Sequence, residues 1–67
     1  MTKEIKEKIV EMKWDGFNLE LAEELSVTPT HISQVFNYRS SNKRVWIAAF
    51  YKLKQKYQEL SQLEQAA

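Results

Sequence analysis

At 67 residues the chain has room for one small domain, whose core can bury only a modest share of the surface. It contains no cysteine, which excludes disulfides and thiolate metal sites, and a composition of 43% hydrophobic and 28% charged residues excludes a disordered tail. The net charge of +1 conceals a sharp division. Residues 1–27 carry four lysines against seven acids, residues 28–56 carry six lysines or arginines and no acid, and the remaining residues carry two acids. The longest uncharged apolar run, 45–51, is too short to cross a bilayer, and the opening MTKEIKEK lacks the basic-then-apolar order of a signal peptide.

Thr2 is placed to cap a first helix over about 3–13, in which Ile5, Ile9 and Met12 recur on one face with Val10 beside them. Lys3, Glu4, Lys6, Glu7, Lys8 and Glu11 fall on the other faces and read as a solvated surface. Gly16, the chain's one glycine, suits the left-handed residue that ends a helix, and its neighbours Trp14 and Phe17 are expected to lid the core. Asn18 is expected to cap a second helix over about 18–26, with Leu21, Ala22 and Leu25 turned inward. Ala22 is small enough to let a second helix cross close by. Glu20, Glu23 and Glu24 lie outward, with no second acid cluster or histidine nearby in sequence to complete a catalytic or metal site.

Thr28 and Pro29 open a third helix over about 29–37, with proline at the one position where its missing N–H costs nothing. Ile32, Val35 and Phe36 turn inward, which leaves Thr30, His31, Ser33, Gln34 and Asn37 on the other side. These are short polar groups without negative charge. Glutamine can read adenine through two hydrogen bonds, serine and threonine can donate or accept, and a threonine methyl can pack on thymine. Thr30, His31, Ser33 and Gln34 are therefore the candidate base contacts. His31 has no partner ligands at metal-binding spacing, so no metal is expected.

The segment NYRSSNKR that follows is polar and basic. Ser41 or Asn42 is expected to cap a fourth helix, beside whose exposed first N–H groups Arg39, Lys43 and Arg44 form an anion site. With Thr28 these are the candidate phosphate contacts. The fourth helix is expected to be long, over about 43–62, with Trp46, Phe50, Leu53, Tyr57 and Leu60 in a near-heptad stripe. Tyr57, Leu60 and Leu63 are expected to run past the core and pair two copies of the chain.

The fold class expected is all-α: a helix-turn-helix domain of about four helices with a long C-terminal helix. The segment LAEELSVTPTHISQVFNYR resembles the helix-turn-helix of the λ-repressor and Cro class of regulators, on Leu21-Ala22, Leu25, Val27, Ile32-Ser33 and Val35. The continuation NYRSSNKRV is similar to short phage regulators of the Ner-like group, and the likeness covers about residues 4–50. Two positions depart from the class: Ser26 stands at the turn glycine, and Tyr38 at the glycine that often follows the asparagine. The resemblance implies that Pro29, Thr30, Ser33 and Gln34 face bases, and that Asn18, Asn37 and the start of helix 4 meet phosphates.

The function expected is sequence-specific binding of double-stranded DNA by a homodimeric transcriptional regulator, with helix 3 in the major groove. The alternatives are an architectural or excision-type DNA-binding factor, and a protein-interaction module of the antirepressor or antitoxin kind. An enzyme is not expected, because the sequence has no nucleophile–base pair, metal cluster or phosphate loop. No cofactor and no small-molecule effector are expected. The expected location is the cytoplasm, with nucleoid association when bound to DNA.

Overall fold

The computed structural model describes residues 1–57, and in them the chain is all-helical. Helix α1 (Lys3–Met12) is opened by Thr2, whose Oγ1 accepts from the Ile5 N–H at 3.2 Å. Helix α2 (Phe17–Leu25) begins two residues earlier than an Asn18 cap implies, with Gly16 in the cap position. Gly16, at φ 84°, turns the chain so that its carbonyl already accepts from the Glu20 N–H, which makes Phe17 the first helical residue. The left-handed glycine thus starts α2 rather than ending α1. Asn18 lies within the first turn of α2, and its Oδ1 accepts from Lys13 Nζ at 3.2 Å. The pull on register is Phe17, which is fully buried.

Helix α3 (Pro29–Phe36) is capped by Thr28, whose Oγ1 accepts from the His31 N–H at 3.1 Å. Both α2 and α3 end in the same device. At Ser26 (φ 57°) the backbone is left-handed, and the Ser26 and Val27 N–H groups close onto the Glu23 and Ala22 carbonyls. At Tyr38 (φ 61°) the Tyr38 and Arg39 N–H groups close likewise onto Val35 and Gln34. These are the two positions where glycine would sit without strain. A side chain in this conformation costs about 1–2 kcal/mol, and the chain accepts that cost twice.

Helix α4 (Lys43–Lys54) packs against each of the other three, while α2 and α3 form the closest pair. It stops well short of residue 62. Leu53 is its last core residue, and beyond it the Lys56 and Tyr57 N–H groups both turn back to the Leu53 carbonyl. Tyr57, three residues beyond the end of α4, is half-buried and packs against the core. Leu60 and Leu63 lie outside the described residues.

The core draws on all four helices: Ile5 and Ile9 from α1, Phe17, Leu21 and Ala22 from α2, Ile32, Val35 and Phe36 from α3, and Val45 to Leu53 from α4. An aromatic column threads it. Trp14 meets Phe17 edge-on at 4.8 Å, Phe17 faces Phe36 at 6.3 Å, Phe36 meets Trp46 edge-on at 5.1 Å, and Trp46 faces Tyr38 at 5.7 Å. Edge-to-face contacts of this kind add about 0.5–1.5 kcal/mol each beyond simple burial. Trp14 and Phe17 do not act alike as a lid: Phe17 is inside, and Trp14 covers it. No helix among the described residues is long and apolar enough to cross a membrane.

Candidate nucleic-acid interface

The outward side of α3 is built by its inward side. Burial of Ile32, Val35 and Phe36 fixes the helix's rotation, so Thr30, Ser33, Gln34 and Asn37, at i, i+3, i+4 and i+7, form the opposite stripe. Thr30, Gln34 and Asn37 are exposed, and Ser33 is half-buried. Asn37 Nδ2 donates to Ser33 Oγ at 3.4 Å, a long bond that joins two members of the stripe. Thr28, exposed at the helix start, keeps its hydroxyl proton after capping His31.

His31 stands apart from the stripe. It is half-buried, and its Nε2 lies 3.0 Å from Asn42 Nδ2. The orientation of Asn42 is set by its other contacts, because its Oδ1 accepts from the Arg44 and Val45 N–H groups at 3.1 and 3.4 Å and so caps α4. Nδ2 is therefore the donor, and His31 Nε2 accepts, which places the ring proton of a neutral His31 on Nδ1. His31 and Asn42 together tie α3 to the start of α4. This link, eleven residues apart in sequence, carried no signal in the residue pattern.

The same cap alters the expected anion site. Two of the N–H groups at the start of α4 are already held by Asn42, so the positive charge there comes from side chains. Arg39, Lys43 and Arg44 are all exposed. Among the described residues no carboxylate pairs with any of them. Asn18 accepts from Lys13 Nζ through its carbonyl oxygen, which leaves its amide N–H groups as the donors a phosphate would meet. Lys13 is itself partly buried, with Nζ 4.5 Å from the centre of the Phe36 ring, and desolvation lowers its pKa below the ordinary 10.5.

The rest of the acid-free stretch behaves differently. Lys52 Nζ donates to Glu24 Oε1 at 2.8 Å and lies 3.8 Å from Glu20 Oε1. Glu20 Oε2 accepts from Trp14 Nε1 at 2.7 Å. The α2 glutamates are thus partners of α4 and Trp14 rather than a purely solvated face. Of the cations in the basic half, Lys52 is thus paired with α2, whereas Arg39, Lys43 and Arg44 meet no carboxylate among the described residues.

Sequence reasoning missed one more cation. Lys6, assigned to the outer face of α1, lies with its Nζ 5.2 Å from the Trp46 ring centre and lines a recess with Tyr38, Arg39, Ser40 and Ser41. Only the packing of α1 on α4 brings it there. Among the described residues no group of three or more His, Cys, Asp or Glu side chains is arranged to hold a metal. Compared with models of known families, with curated proteins and with solved structures, the chain shows no significant match.

Proposed function

We propose that the protein is a sequence-specific binder of double-stranded DNA, a transcriptional regulator of the λ-repressor and Cro kind, acting as a homodimer. The observation that carries this reading is the acid-free stripe Thr30, Ser33, Gln34 and Asn37, followed by three cations that no carboxylate among the described residues pairs. In this reading α3 enters the major groove, where Thr30, Ser33 and Gln34 address base edges. Thr28, Asn37, Arg39, Lys43 and Arg44 hold the phosphates and set the register. His31 acts by fixing α3 against α4 through Asn42 instead of reaching the bases. Two copies would read half-sites about one helical turn apart.

A second reading, a factor that coats DNA with little regard to sequence, is favoured by one observation. Ile47 and Tyr51, one turn apart on α4, are 48% and 54% exposed, an apolar pair suited to side-by-side assembly. Selection from a random duplex pool at moderate salt separates the two. Enrichment of an inverted repeat is the expected result. Retention without a motif favours the coating factor, and no retention at low salt contradicts both.

A further inference from the structure

The recess beside Tyr38 has a construction that duplex binding does not use up. It is open to solvent, has a volume of about 310 Å3, and lies between α1, the α3–α4 connection and α4. That volume falls at the lower end of the range typical of small-molecule sites. Tyr38 is the unusual member. It takes the left-handed conformation at φ 61°, where glycine or asparagine would be easier, yet its side chain is 59% exposed. Neither backbone geometry nor core packing accounts for a tyrosine at this position. Its ring rests on Trp46 at 5.7 Å with an interplanar angle of 34°, and Trp46 is anchored edge-on by Phe36 at 5.1 Å. The exposed ring is therefore the outer end of a rigid aromatic column.

Around this ring stand the groups that hold a phosphate. Arg39 and Lys6 supply two cations that no described carboxylate neutralises, and Ser40 and Ser41 supply hydroxyls. Lys6 is held over Trp46, which places its charge at the edge of the stack. A planar aromatic platform next to a cationic, hydroxyl-lined hollow is the chemistry that binds one nucleotide unit: the base stacks and the phosphate is clamped.

We propose that this recess is a single-nucleotide site, which takes a nucleoside phosphate with its base against Tyr38 and its phosphate on Lys6, Arg39 and the Ser40 and Ser41 hydroxyls. The nucleotide comes either free in solution or as an unpaired unit of a nucleic-acid strand. The inference goes beyond duplex binding and shares only Arg39 with it, because the α3 stripe takes no part in the recess.

The test is a titration of the full chain with adenosine 5′-monophosphate, followed by the NMR resonances of the Tyr38 ring and the Trp46 indole. The expected result is a saturable shift at both residues and none at Trp14, with inorganic phosphate and adenosine each binding at least roughly tenfold more weakly. Tyr38→Asn keeps a residue that tolerates the left-handed backbone and removes the platform. It is expected to weaken binding roughly tenfold with no loss of thermal stability, and Arg39→Gln is expected to weaken it as well. Absence of a saturable shift overturns the proposal, as does equal binding of inorganic phosphate or an unaffected Tyr38→Asn variant. A single-stranded oligothymidylate that binds more tightly than the mononucleotide identifies a strand as the source, and the reverse identifies the free nucleotide. Duplex selection with Tyr38→Asn separates the two readings. A duplex motif selected by the unsubstituted chain with no response to nucleotide sinks the recess alone, and a nucleotide response without any duplex motif sinks the regulator alone.

Discussion

The two ends of the aromatic column, Trp14 and Tyr38, sit in opposite electrostatic surroundings. Beside Trp14, the Lys52 ammonium is held by Glu24 and Glu20, and Glu20 also takes the indole N–H. Beside Tyr38, Lys6, Arg39 and, further along, Lys43 and Arg44 have no described carboxylate to answer them. Lys52, Arg39, Lys43 and Arg44 come from the same acid-free run of sequence, so count alone does not distinguish them. What separates them is α2, whose glutamates cover one end of α4 and not the other. A charge already paired has little to gain from a phosphate, whereas an unpaired one releases counterions when it meets DNA.

In the proposed reading the contrast is sharpest at the α3 stripe. Gln34→Ala is expected to cost roughly 1–3 kcal/mol of binding to the selected duplex and to relax specificity at one base pair. Leu19→Ala, an equally exposed position on α2, is expected to leave binding unchanged in the same competition assay. Equal losses in the two variants would remove the stripe from the interface.

Asn42 joins the uncompensated end to α3, and its two roles can be separated. Asn42→Ala removes the α4 cap and the His31 partner, with an expected loss of about 1–2 kcal/mol in denaturant unfolding. Asn42→Ser retains a good capping residue and is expected to recover most of that stability while duplex affinity stays reduced. Full recovery of affinity by serine would show that the His31 link positions nothing.

Much of this architecture was legible in the residues. The apolar positions of α1, α2 and α3 have helical period, and Thr2, Thr28 and Pro29 are strong local signals for where helices begin. The failures have a common cause, which is contact at long range. Asn18 is a good cap by composition, but burial of Phe17 and the turn at Gly16 start α2 before it. The heptad stripe implies a longer α4, but the helix ends at Lys54, directly after its last fully buried residue, Leu53. The Lys52–Glu24 pair spans 28 residues, and Lys6 reaches the recess only because α1 lies on α4, so neither leaves a trace in local pattern.

The turn at Ser26 offers a smaller effect at the neutral end. Ser26→Gly relieves a left-handed side chain and is expected to raise stability by about 0.4–1 kcal/mol with duplex binding unchanged. A loss of stability would mean that the serine contributes more than its backbone costs.

The smallest expected effect concerns Lys13. Burial lowers its pKa in the folded state, so the unfolded chain binds more protons in the window just below 10.5. Folding stability should therefore rise slightly as pH climbs through that window, once the folded lysine has lost its proton. Lys13→Met retains the apolar stem and is expected to remove this alkaline rise in thermal unfolding measured against pH. Persistence of the rise would assign it to another group.

The division of the basic stretch into a free end and a paired end is tested most directly by the salt dependence of binding to the selected duplex. Arg44→Gln and Lys52→Gln each remove one positive charge from α4, so net charge changes equally. The account predicts that Arg44→Gln lowers the slope of log K against log salt by about 0.9, and that Lys52→Gln leaves it unchanged. Equal changes in the two variants, or a larger one for Lys52, would contradict it.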